Sequence, residues 1–534
     1  MTLSGLMQET PLTLHGIFER MRTFYADGEV VSPEGRTTYG AIAERILRLC
    51  TVLTERFGIR PGDRVATYGF NSARHFELYY AVPLIGAVLH TVNVRLFPEQ
   101  VAYIINHAGD RLVFADGDLL PALAEVAPKA PSLEAFVRMG ACDDAGIAPV
   151  FDHDELVGDA LPAASLPEVP ENAACGLCYT SGTTGMPKGV LSSHRGMWLH
   201  SLATCAGDVI GLRESDRVLP FVPMFHAFAW GFPYSAPFTG AELVFHGSDT
   251  SPQNVGRLLQ DERVTVTAAV PTIWKELLPL VQRGEVDLSS LRGIFIGGSA
   301  TPQPLIEAYD ALGLRIVQIW GMTETGPLAC ASHPRRSHRD VGPDALFEVR
   351  AKTGTIAPGI EMRICDPLGA IVPWDGKSVG EIEVRGPWIT REYYNDDTSA
   401  EKFHDGWLRT GDMAYVDPDG VFKIVDRAKD LVKSGGEWIS SVEMEGALLG
   451  HPQVRDAAVI GVRSKKWDER PVAVVVPRGD DAPTLESIRD FLAPLFAKWW
   501  LPDAVVVVEE IPKTSVGKLD KKVLRADLEH MELP

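Results

Sequence analysis

TSGTTGMPKG, the stretch from Thr180 to Gly189, is the part of this sequence that most restricts the fold. It places four hydroxyl residues, three glycines and one lysine in a single short loop. Glycines let backbone N–H groups approach an anion and adopt positive φ, hydroxyls add donors, and Lys188 adds positive charge. A Walker A lysine is followed by Ser or Thr, whereas Lys188 is followed by Gly189. The stretch therefore predicts a phosphate-binding loop of another kind, and the alternative from these residues alone is a Gly/Thr surface turn.

The sequence around this loop alternates between short apolar runs and helical patterns. Arg64–Tyr68 has the pattern of a buried strand, and Arg74–Ile85 has that of an apolar helix. The alternation recurs along the chain and is typical of parallel sheets flanked by helices. Val349–Val384 instead has short strands separated by Gly, Pro and Asp turns. The sequence predicts an α/β fold, with a large N-terminal domain of helix-flanked β-sheets and a β-rich subdomain.

A domain boundary is predicted at DRAKD, Asp426–Asp430. The residues that follow have a helix pattern at Val442–Leu449, a strand pattern at Asp456–Val462 and a final helix from Leu519. This is enough for a separate, small α+β domain. We therefore expect domains at residues 1–427 and 428–534.

Composition limits the function classes. The 534 residues carry 51 Lys and Arg against 71 Asp and Glu, a formal charge of −20, which argues against nucleic acid or an anionic membrane as the main partner. The sequence has no signal-peptide pattern and no apolar run near the roughly 20 residues of a membrane-spanning helix, so a cytoplasmic protein is expected. The seven cysteines include one CxxC pair, Cys175 and Cys178. We expect a structural role for this pair, because no second pair or His cluster completes a metal site.

Further motifs follow the loop in the chain. They are VPMFHAFAW (Val222–Trp230), GGSATP (Gly297–Pro302), QIWGMTET (Gln318–Thr325), TGDMA (Thr410–Ala414), DRAKDLVKSGGEWIS (Asp426–Ser440) and PKTSVGK (Pro512–Lys518). Together with TSGTTGMPKG they resemble the successive motifs of the adenylate-forming superfamily, which contains acyl-CoA synthetases, stand-alone adenylation domains and luciferases. The resemblance spans nearly the whole chain and implies a large adenylation domain followed by a small, mobile C-terminal domain.

The resemblance implies a site for ATP and Mg²⁺. The implied phosphate contacts are Thr180, Ser181, Gly182, Thr183, Thr184 and Lys188. The other implied nucleotide contacts are Gly298, Ser299, Ala300, Gln318, Trp320, Gly321, Met322, Thr323, Asp412, Arg427 and Lys433. Among these, Asp412 is the expected acceptor for the ribose hydroxyls, and Trp320 stands where the family usually has Tyr, so a contact through a phenolic hydroxyl is in doubt. Glu324 and Thr180 are the implied oxygen ligands of Mg²⁺.

Lys518, Glu324 and His226 are the implied catalytic residues. Lys518 would reach from the small domain to the α-phosphate and the substrate carboxylate, a role that suits a mobile point charge. Without its motif, Lys518 would be interpreted as a solvated lysine among neighbouring lysines. His226 would line the acyl side of the site, but a general base is not required, because a carboxylate is ionised at neutral pH and is itself the nucleophile.

The resemblance also implies a second half-reaction, with coenzyme A. The small domain would rotate about a hinge at Lys429 and present the SGGEWIS segment as the wall of a pantetheine tunnel. Glycines suit such a wall because a backbone beside a narrow tunnel has no room for Cβ atoms. The implied CoA contacts are Gly435, Gly436, Glu437 and Trp438. Basic residues within Lys465–Arg470 and Lys498–Leu501 could meet the CoA phosphates or be ordinary solvated surface.

The acid is the least determined part of this reaction. Amino-acid adenylation domains place an Asp where this chain has apolar residues beside Trp230, which predicts an uncharged acyl tail. The implied acyl-pocket residues are Trp230, Gly231, Val270 and Thr272, with ordinary core as the alternative. The segments look closest to bacterial medium- and long-chain fatty acyl-CoA synthetases and the related methylthioalkanoate-CoA ligases, which implies a homodimer.

These expectations describe an ATP- and Mg²⁺-dependent acid:CoA ligase that works through an acyl-adenylate, with a medium- or long-chain fatty acid as substrate. The alternatives are a methylthioalkanoate or other short-chain acid, and transfer to an acyl carrier protein instead of CoA. The overall resemblance disfavours a luciferase-like oxygenase. The presence of Lys518, Glu324 and Asp412 argues against a non-enzymatic nucleotide sensor.

Overall fold

The computed structural model describes residues 1–534 except positions 1, 2, 4, 143–145, 181–185, 398, 436, 515–517, 532 and 534. Strands and helices alternate along most of the described chain. The strands are β1 (Glu29–Ser32), β2 (Gly35–Thr38), β3 (Arg64–Tyr68), β4 (Val88–Thr91), β5 (Asp110–Asp116), β6 (Ala135–Met139), β7 (Val150–Asp152), β8 (Ala174–Tyr179), β9 (Gly189–Ser193), β10 (Arg217–Pro220), β11 (Glu242–Val244), β12 (Val266–Ala269), β13 (Gly293–Ile296), β14 (Ile316–Trp320), β15 (Cys330–Ala331), β16 (Thr355–Ile356), β17 (Glu361–Cys365), β18 (Gly380–Arg385), β19 (Phe403–His404), β20 (Trp407–Val416), β21 (Phe422–Arg427), β22 (Val432–Ser434), β23 (Glu437–Ile439), β24 (Val454–Ser464), β25 (Asp468–Pro477) and β26 (Ala504–Val507). The α-helices are α1 (Leu14–Phe24), α2 (Tyr39–Thr51), α3 (Ala73–Leu84), α4 (Pro98–Ala108), α5 (Leu120–Leu123), α6 (His153–Asp159), α7 (His194–Thr204), α8 (Phe232–Thr239), α9 (Pro252–Asp261), α10 (Pro271–Gln282), α11 (Gln303–Ala311), α12 (Pro343–Arg350), α13 (Ser441–Leu448), α14 (Leu485–Leu492) and α15 (Lys521–Asp527).

Two sheets with parallel centres form most of the molecule. The first has nine strands in the order β16-β15-β14-β13-β12-β10-β11-β1-β2, and its strands from β14 to β1 are parallel. The second has seven strands in the order β7-β6-β5-β3-β4-β8-β9, with an antiparallel pair at β8 and β9. Parallel neighbours need crossover connections, which the intervening helices supply. The predicted α/β class is confirmed.

One hydrophobic core joins the two sheets. It contains Tyr80 of α3, Phe114 of β5 and Phe295 of β13, so α3 lies between the sheets. This position explains the apolar sequence of the helix, in which every residue except Arg74 is buried. The predicted strand coincides with β3, and the predicted helix is shifted by one residue at each end.

A five-stranded antiparallel sheet forms the β-rich subdomain. Its order is β17-β18-β20-β19, with β21 paired to β20. The predicted start at Val349 was wrong, because Val349 and Arg350 belong to α12 and β16 joins the nine-stranded sheet. Pro343 begins this helix in the first position, where proline is favourable.

The hydrophobic clusters separate the chain into two parts. Three clusters use buried residues between Leu14 and Phe422, and two use buried residues between Val432 and Leu533. We call these parts the large unit and the small unit. In the small unit, β22 to β26 form a sheet with α13 and α14 on one face and α15 on the other. The predicted domain limits at 427 and 428 fall between the two sets of clusters and stay a prediction.

None of the described helices combines the length and apolar character that crossing a membrane requires.

Candidate active site

A cavity of about 2470 Å³ lies at the carboxyl ends of parallel strands in the nine-stranded sheet. Residues directly after β10, β12, β13 and β14 line it, namely Phe221, Val270, Gly297 and Gly321. Residues of the small unit, including Lys518, line it as well. Ligands of open α/β sheets bind in such crevices beyond the carboxyl ends of the strands.

Asp412 lies at the centre of a buried polar group in this cavity. It is 3 % exposed and is the register partner of Arg427 on the neighbouring strand. Oδ1 of Asp412 is 2.9 Å from Nε of Arg427, and Oδ2 accepts a 2.9 Å hydrogen bond from the indole Nε1–H of Trp320. The Asp412 carboxylate raises the pKa of Arg427, so the guanidinium stays charged. Trp320 therefore lacks the phenolic hydroxyl of the usual Tyr but supplies an N–H donor to the predicted ribose-binding carboxylate.

Glu324 forms a second polar group, which includes residues that the sequence analysis missed. It is 6 % exposed, and its Oε1 accepts a 2.6 Å hydrogen bond from the hydroxyl of Tyr393. Burial and the Glu324 charge raise the pKa of Tyr393, so its hydroxyl stays a donor. Nζ of Lys188 lies 5.0 Å from the centre of the Tyr393 ring and 3.2 Å from Oδ2 of Asp396. These contacts bring the predicted phosphate-binding lysine and the predicted magnesium ligand to one wall of the cavity.

The predicted phosphate loop connects β8 to β9. Its two ends are joined by a hydrogen bond of 2.9 Å from the Thr180 N–H to the Lys188 carbonyl and one of 3.3 Å from the Lys188 N–H to Oγ1 of Thr180. Thr180 and Lys188 both line the cavity. The remaining predicted phosphate contacts, Ser181, Gly182, Thr183 and Thr184, lie outside the described residues.

Lys518 enters the cavity from the small unit. Its backbone is held by a 2.7 Å hydrogen bond from the Thr514 N–H to its carbonyl, and its Cε would lie 3.8 Å from a Cβ atom placed on Gly298. Burial and the Arg427 charge lower its pKa to about 8, while Asp412 and Glu324 oppose this shift. The structure thus places Lys518 in the cavity that Asp412 and Glu324 also line.

His226 precedes a left-handed turn of backbone. The φ angles of Ala227, Phe228, Ala229 and Trp230 are 43°, 49°, 48° and 53°. Such conformations cost roughly 1–2 kcal/mol for each L-residue and persist where the surroundings hold them. Here the Ala227 N–H donates to Sγ of Cys178 over 3.2 Å. Burial, Lys518 and Arg95 lower the pKa of His226 to about 3, so its imidazole is neutral.

Comparison with known proteins identifies the family. The family model "AMP-binding enzyme" matches residues 18–394, and the model "AMP-binding enzyme C-terminal domain" matches residues 443–518. The chain belongs to the AMP-binding enzyme family. The predicted membership in the adenylate-forming superfamily is therefore confirmed.

Relatives of this AMP-binding enzyme match it over nearly their whole length. A long-chain-fatty-acid–CoA ligase of Thermus thermophilus is 44 % identical and covers 97 % of this chain and 96 % of the relative. A medium-chain-fatty-acid–CoA ligase of Ectopseudomonas oleovorans is 39 % identical (98 % and 97 % covered), and a 3-methylmercaptopropionyl-CoA ligase of Ruegeria pomeroyi is 40 % identical (98 % and 98 % covered). Among solved structures, the anthranilate CoA ligase AuaEII in complex with anthranoyl-AMP has a TM-score of 0.87 at 25 % identity, covering 98 % of this chain and 99 % of that chain.

The other predicted nucleotide residues of the enzyme, except Lys433, line the same cavity. The Gln318 side-chain amide donates 3.0 Å hydrogen bonds to the carbonyls of Arg350 and Lys352, which fixes its orientation. Gly321 has no room for a side chain, because a Cβ atom there would lie 1.6 Å from the Pro327 carbonyl oxygen. The remaining members of the set are Gly298, Ser299, Ala300, Met322 and Thr323.

The predicted acyl residues divide into two groups. Trp230, Val270 and Thr272 line the cavity, and the Trp230 ring covers the backbone of Gly297, where a Cβ atom would lie 3.0 Å from Cη2 of Trp230. Gly231 instead packs against His200, whose Cε1 would lie 2.5 Å from a Cβ atom on Gly231. The structure therefore does not bring Gly231 to the acyl pocket, and its glycine is explained by the His200 contact and its φ of +79°.

The structure separates the predicted CoA residues from the nucleotide residues. Among the described residues, neither Lys433 nor Trp438 lines the cavity in this arrangement, and the assignment of Lys433 to the nucleotide site stays a prediction. Lys433 Nζ lies 5.2 Å from the Trp438 ring, and Trp438 is 44 % exposed. Gly435, with φ of +61°, donates its N–H to the Trp467 carbonyl over 2.8 Å. Glu437 begins β23 of the same hairpin, and Gly436 lies outside the described residues.

Two further predictions concern Lys429 and the basic segments. Lys429 lines the cavity, and its carbonyl accepts a 3.2 Å hydrogen bond from Arg525 of α15.

Arg470 was one of the basic residues that could meet CoA phosphates. It is 7 % exposed and its guanidinium contacts Asp503, Ser434 and two backbone carbonyls, so it stabilises the small unit.

The cysteines hold no metal site in the described part of the chain. Cys175 and Cys178 are buried free thiols, and no group of three or more His, Cys, Asp or Glu side chains there has the arrangement of a metal site. Burial raises the pKa of both thiols. The structural interpretation of the CxxC pair stays a prediction.

Sequence reasoning missed Tyr393, Asp396 and Arg95 as site residues. Tyr393 and Asp396 lie in a connection between β18 and β19 that carries none of the motifs. Cζ of Arg95 lies 5.7 Å from the centre of the Phe225 ring, and the Arg95 charge lowers the pKa of His226. Its sequence signal is weak, because a basic residue in a connection after a buried strand is common on protein surfaces.

Proposed function

We propose that this AMP-binding enzyme is an ATP-dependent acid:CoA ligase. It would convert a carboxylate and ATP to an acyl-adenylate and pyrophosphate, and then convert the acyl-adenylate and CoA to acyl-CoA and AMP. The observation that carries the proposal is the meeting of Lys518 from the small unit with Asp412 and Glu324 from the large unit in one cavity. The CoA ligases among its relatives, matched over nearly the whole chain, support the same chemistry.

Asp412 would bind the ribose. A carboxylate accepts hydrogen bonds from two neighbouring hydroxyls, and the Trp320 N–H and Arg427 hold its two oxygens in place before the nucleotide arrives. Gly298, Ser299 and Ala300 would form the wall of the adenine pocket beside it. This part of the site would bind and orient the nucleotide, which lowers the entropic cost of reaching the reactive geometry.

Glu324 fits a magnesium ion held together with the ATP phosphates. It is a buried carboxylate that lines the cavity, and Mg²⁺ in nucleotide sites is bound by one or two carboxylates plus substrate phosphates. Oγ1 of Thr180 accepts one backbone hydrogen bond and has a second lone pair to offer. When bound, the ion would neutralise phosphate charge. Lys188 adds a positive charge on the same wall.

Lys518 would stabilise the adenylation transition state. The acid's carboxylate attacks the α-phosphate and pyrophosphate leaves, so negative charge accumulates on the α-phosphate oxygens. An ammonium group fixed nearby lowers the energy of that charge. His226 would contact the acid as a neutral imidazole, because its pKa of about 3 keeps it uncharged.

The second half-reaction would need another arrangement of the two units. In the present one, Lys518 lies in the cavity, while the predicted CoA residue Trp438 is exposed on the small unit. We propose that the small unit rotates about Lys429, withdraws Lys518 and presents Gly435, Gly436, Glu437 and Trp438 to the cavity.

The proposed acid is a medium- or long-chain fatty acid. The apolar residues Trp230, Val270 and Phe221 on the acyl side of the cavity support an uncharged tail, as do the two fatty-acid ligases among the relatives. A methylthioalkanoate is the second candidate, because the Ruegeria pomeroyi ligase is about as similar.

We also propose a cytoplasmic homodimer. The side chains of Leu6 and Met7 are 93 % and 84 % exposed, so the N-terminal segment has apolar surface for a partner subunit.

Pyrophosphate release with a panel of acids tests the first step and identifies the substrate. Consumption of CoA thiol, compared with acylation of an acyl carrier protein, tests the second. ATP-dependent pyrophosphate release that never leads to acyl-CoA would contradict the ligase assignment.

A further inference from the structure

A buried charged cluster lies where the small unit meets strand β21 of the large unit. Its members are Asp426 of β21, Ser441 and Glu445 of α13 and Lys521 of α15, which are 1 %, 0 %, 8 % and 9 % exposed. None of them belongs to the nucleotide, acyl or CoA residues assigned above. Charged groups are almost never this buried unless they are paired, so the cluster calls for a reason.

Direct contacts connect the members across the two units. Oδ2 of Asp426 accepts hydrogen bonds of 2.6 Å from both the N–H and the hydroxyl of Ser441. Nζ of Lys521 donates to the Ser441 hydroxyl oxygen over 2.5 Å and lies 2.7 Å from Oε1 of Glu445. The same Glu445 oxygen accepts a 2.7 Å hydrogen bond from the Val459 N–H. Ser441 therefore links the large-unit carboxylate to the small-unit ammonium.

The charges of this cluster balance only in part. Two carboxylates, Asp426 and Glu445, share one ammonium group, Lys521. Burial raises the pKa of both carboxyl groups, to about 7 for Glu445, and the Lys521 charge opposes both shifts. Removing the ammonium would leave two buried acids with no cation between them, which is far less favourable than an intact pair.

The position of Lys521 links the cluster to the reaction. It is the first residue of α15 and follows Lys518 by three positions. Three residues of chain span at most about 11 Å, so anchoring Lys521 also limits where the Lys518 backbone can lie. The Asp520 side chain caps α15 by accepting from the Lys522 N–H, which fixes the direction in which the chain enters the helix.

We propose that Lys521 is a positioning residue for adenylation. Its ammonium holds Ser441 and Glu445 and, through the Ser441 hydroxyl, Asp426 of the large unit, and this cluster keeps the small unit docked with Lys518 in the cavity. The inference rests on the proposed two-step ligase function. Lys521 itself touches neither substrate nor nucleotide in this role.

The two half-reactions depend differently on this contact. Adenylation needs Lys518 in the cavity, whereas thioester formation uses the arrangement in which the small unit has left β21. Without the Lys521 ammonium, separation of the units returns Asp426 to water and relieves the uncompensated charge. Loss of Lys521 therefore shifts the population away from the adenylating arrangement.

The test compares Lys521→Met with the neighbouring Lys522→Met in the full-length enzyme. Lys522 is exposed on the same helix and serves as the matched control. Pyrophosphate release measures adenylation, and conversion of supplied acyl-AMP and CoA to acyl-CoA measures the second step. We expect Lys521→Met to slow adenylation by about tenfold or more while thioester formation keeps its rate, and Lys522→Met to leave both rates unchanged.

A second variant on the other side of the contact guards against simple misfolding. Asp426→Asn lies in the large unit and leaves Lys521 paired with Glu445, so we expect a smaller loss of adenylation alone. In the Lys521→Met background, Asp426→Asn should recover part of the adenylation rate, because it removes one uncompensated carboxylate. The double variant should thus be faster than Lys521→Met alone.

Two results would overturn the inference. One is an equal loss of both half-reactions in Lys521→Met and in Asp426→Asn, and the other is unchanged adenylation in both variants. The same assays on the unsubstituted enzyme distinguish failure of this inference from failure of the proposed function. If the proposed function is wrong, the unsubstituted enzyme itself catalyses neither half-reaction.

Discussion

The indole N–H of Trp320 donates a 2.9 Å hydrogen bond to Oδ2 of Asp412. Trp320 ends strand β14 of the nine-stranded sheet, and Asp412 lies in β20 of the antiparallel sheet, so the bond joins two sheets at the cavity. With Arg427 on the other oxygen, the carboxylate is fixed from two sides. If Asp412 binds the ribose as proposed, such preorganisation means that little rearrangement is needed on binding.

Trp320→Phe removes this donor and keeps an aromatic ring. A hydrogen bond to a charged acceptor is worth about 1.5–3 kcal/mol, so we expect the Kd for ATP to rise by roughly tenfold or more. Isothermal titration calorimetry with a non-hydrolysable ATP analogue measures the change. Trp374→Phe, at a tryptophan that is 45 % exposed, is the control and should bind as the unsubstituted enzyme does. Equal affinity in the two variants would show that the indole donor has no role.

Lys518→Ala tests the division between the two half-reactions. Removing one preorganised charge should slow adenylation by about 100- to 1,000-fold, as the loss of a single oxyanion-stabilising donor does. Conversion of supplied acyl-AMP and CoA to acyl-CoA should be unaffected, because Lys518 would not contact the thioester-forming site. Stopped-flow or quenched assays of each half-reaction measure both rates, and comparable losses in the two would contradict the two-arrangement mechanism.

The pH dependence of adenylation should report the Lys518 ammonium. Its pKa is lowered to about 8, chiefly by burial, and the protonated form carries the charge that the transition state needs. The kcat/KM for ATP reports the free enzyme, so it should be constant near neutral pH and fall as pH rises through 8. His226, with a pKa of about 3, stays neutral in this range and should add no acidic limb above about pH 5.

The Lys518→Arg variant provides the comparison for that profile. Arginine stays protonated to far higher pH. The variant should adenylate more slowly than the unsubstituted enzyme, but its rate should show no decline between about pH 8 and 9.5. An unsubstituted enzyme whose kcat/KM is constant to about pH 9.5 would contradict the assignment of the decline to Lys518.

Tyr393→Phe removes the hydroxyl that donates to Glu324 and leaves the ring that faces Lys188. The Glu324 carboxylate loses one fixed hydrogen bond, so we expect the Mg²⁺ concentration for half-maximal pyrophosphate release to rise by roughly three- to tenfold. The adjacent Tyr394→Phe is the control, because the Tyr394 ring packs against His107 instead. The same Mg²⁺ dependence in both variants would remove Tyr393 from the proposed metal site.

Gly321→Ala tests a packing requirement of the nucleotide wall. An added Cβ would lie 1.6 Å from the Pro327 carbonyl oxygen, so the backbone must move. We expect the free energy of unfolding to fall by about 3 kcal/mol or more, and ATP binding to weaken. Gly207→Ala, where the space around the added Cβ is open to 4 Å among described atoms, is the control in the same calorimetric measurement. Equal transition midpoints for the two variants would contradict the clash.

Much of the fold was predictable because its signals are local. Arg64–Tyr68 coincides with β3, and the apolar helix after it is α3, since burial between two sheets requires apolar residues on every face. The start of the β-rich region was missed because α12 and β16 depend on how the chain joins the nine-stranded sheet. Pairing of that kind involves residues far apart in sequence.

The candidate site shows the same difference between local signals and contacts of residues far apart in sequence. Thr180, Lys188, Glu324, Asp412 and Lys518 were found from motifs, and the structure brings them to one cavity. The same motifs predicted ligand sites for Gly231 and Lys433. In the structure, Gly231 packs on His200, and Nζ of Lys433 lies 5.2 Å from the ring centre of the exposed Trp438. A motif gives the order of residues along the chain, whereas the direction of each side chain depends on the neighbours that pack against it.

The sequence by itself determined the α/β class and the set of adenylation motifs, and it predicts the phosphate loop, because glycine requirements and apolar periodicity involve residues close together in the chain. Only the tertiary structure decided which distant side chains meet. Trp320 and Asp412 are 92 positions apart, and Tyr393 and Glu324 are 69 apart. Folding of the small unit brings Lys521 to Ser441, and docking of that unit on the large unit brings Ser441 to Asp426. Such contacts depend on how sheets and units pack, and no spacing in the sequence records that.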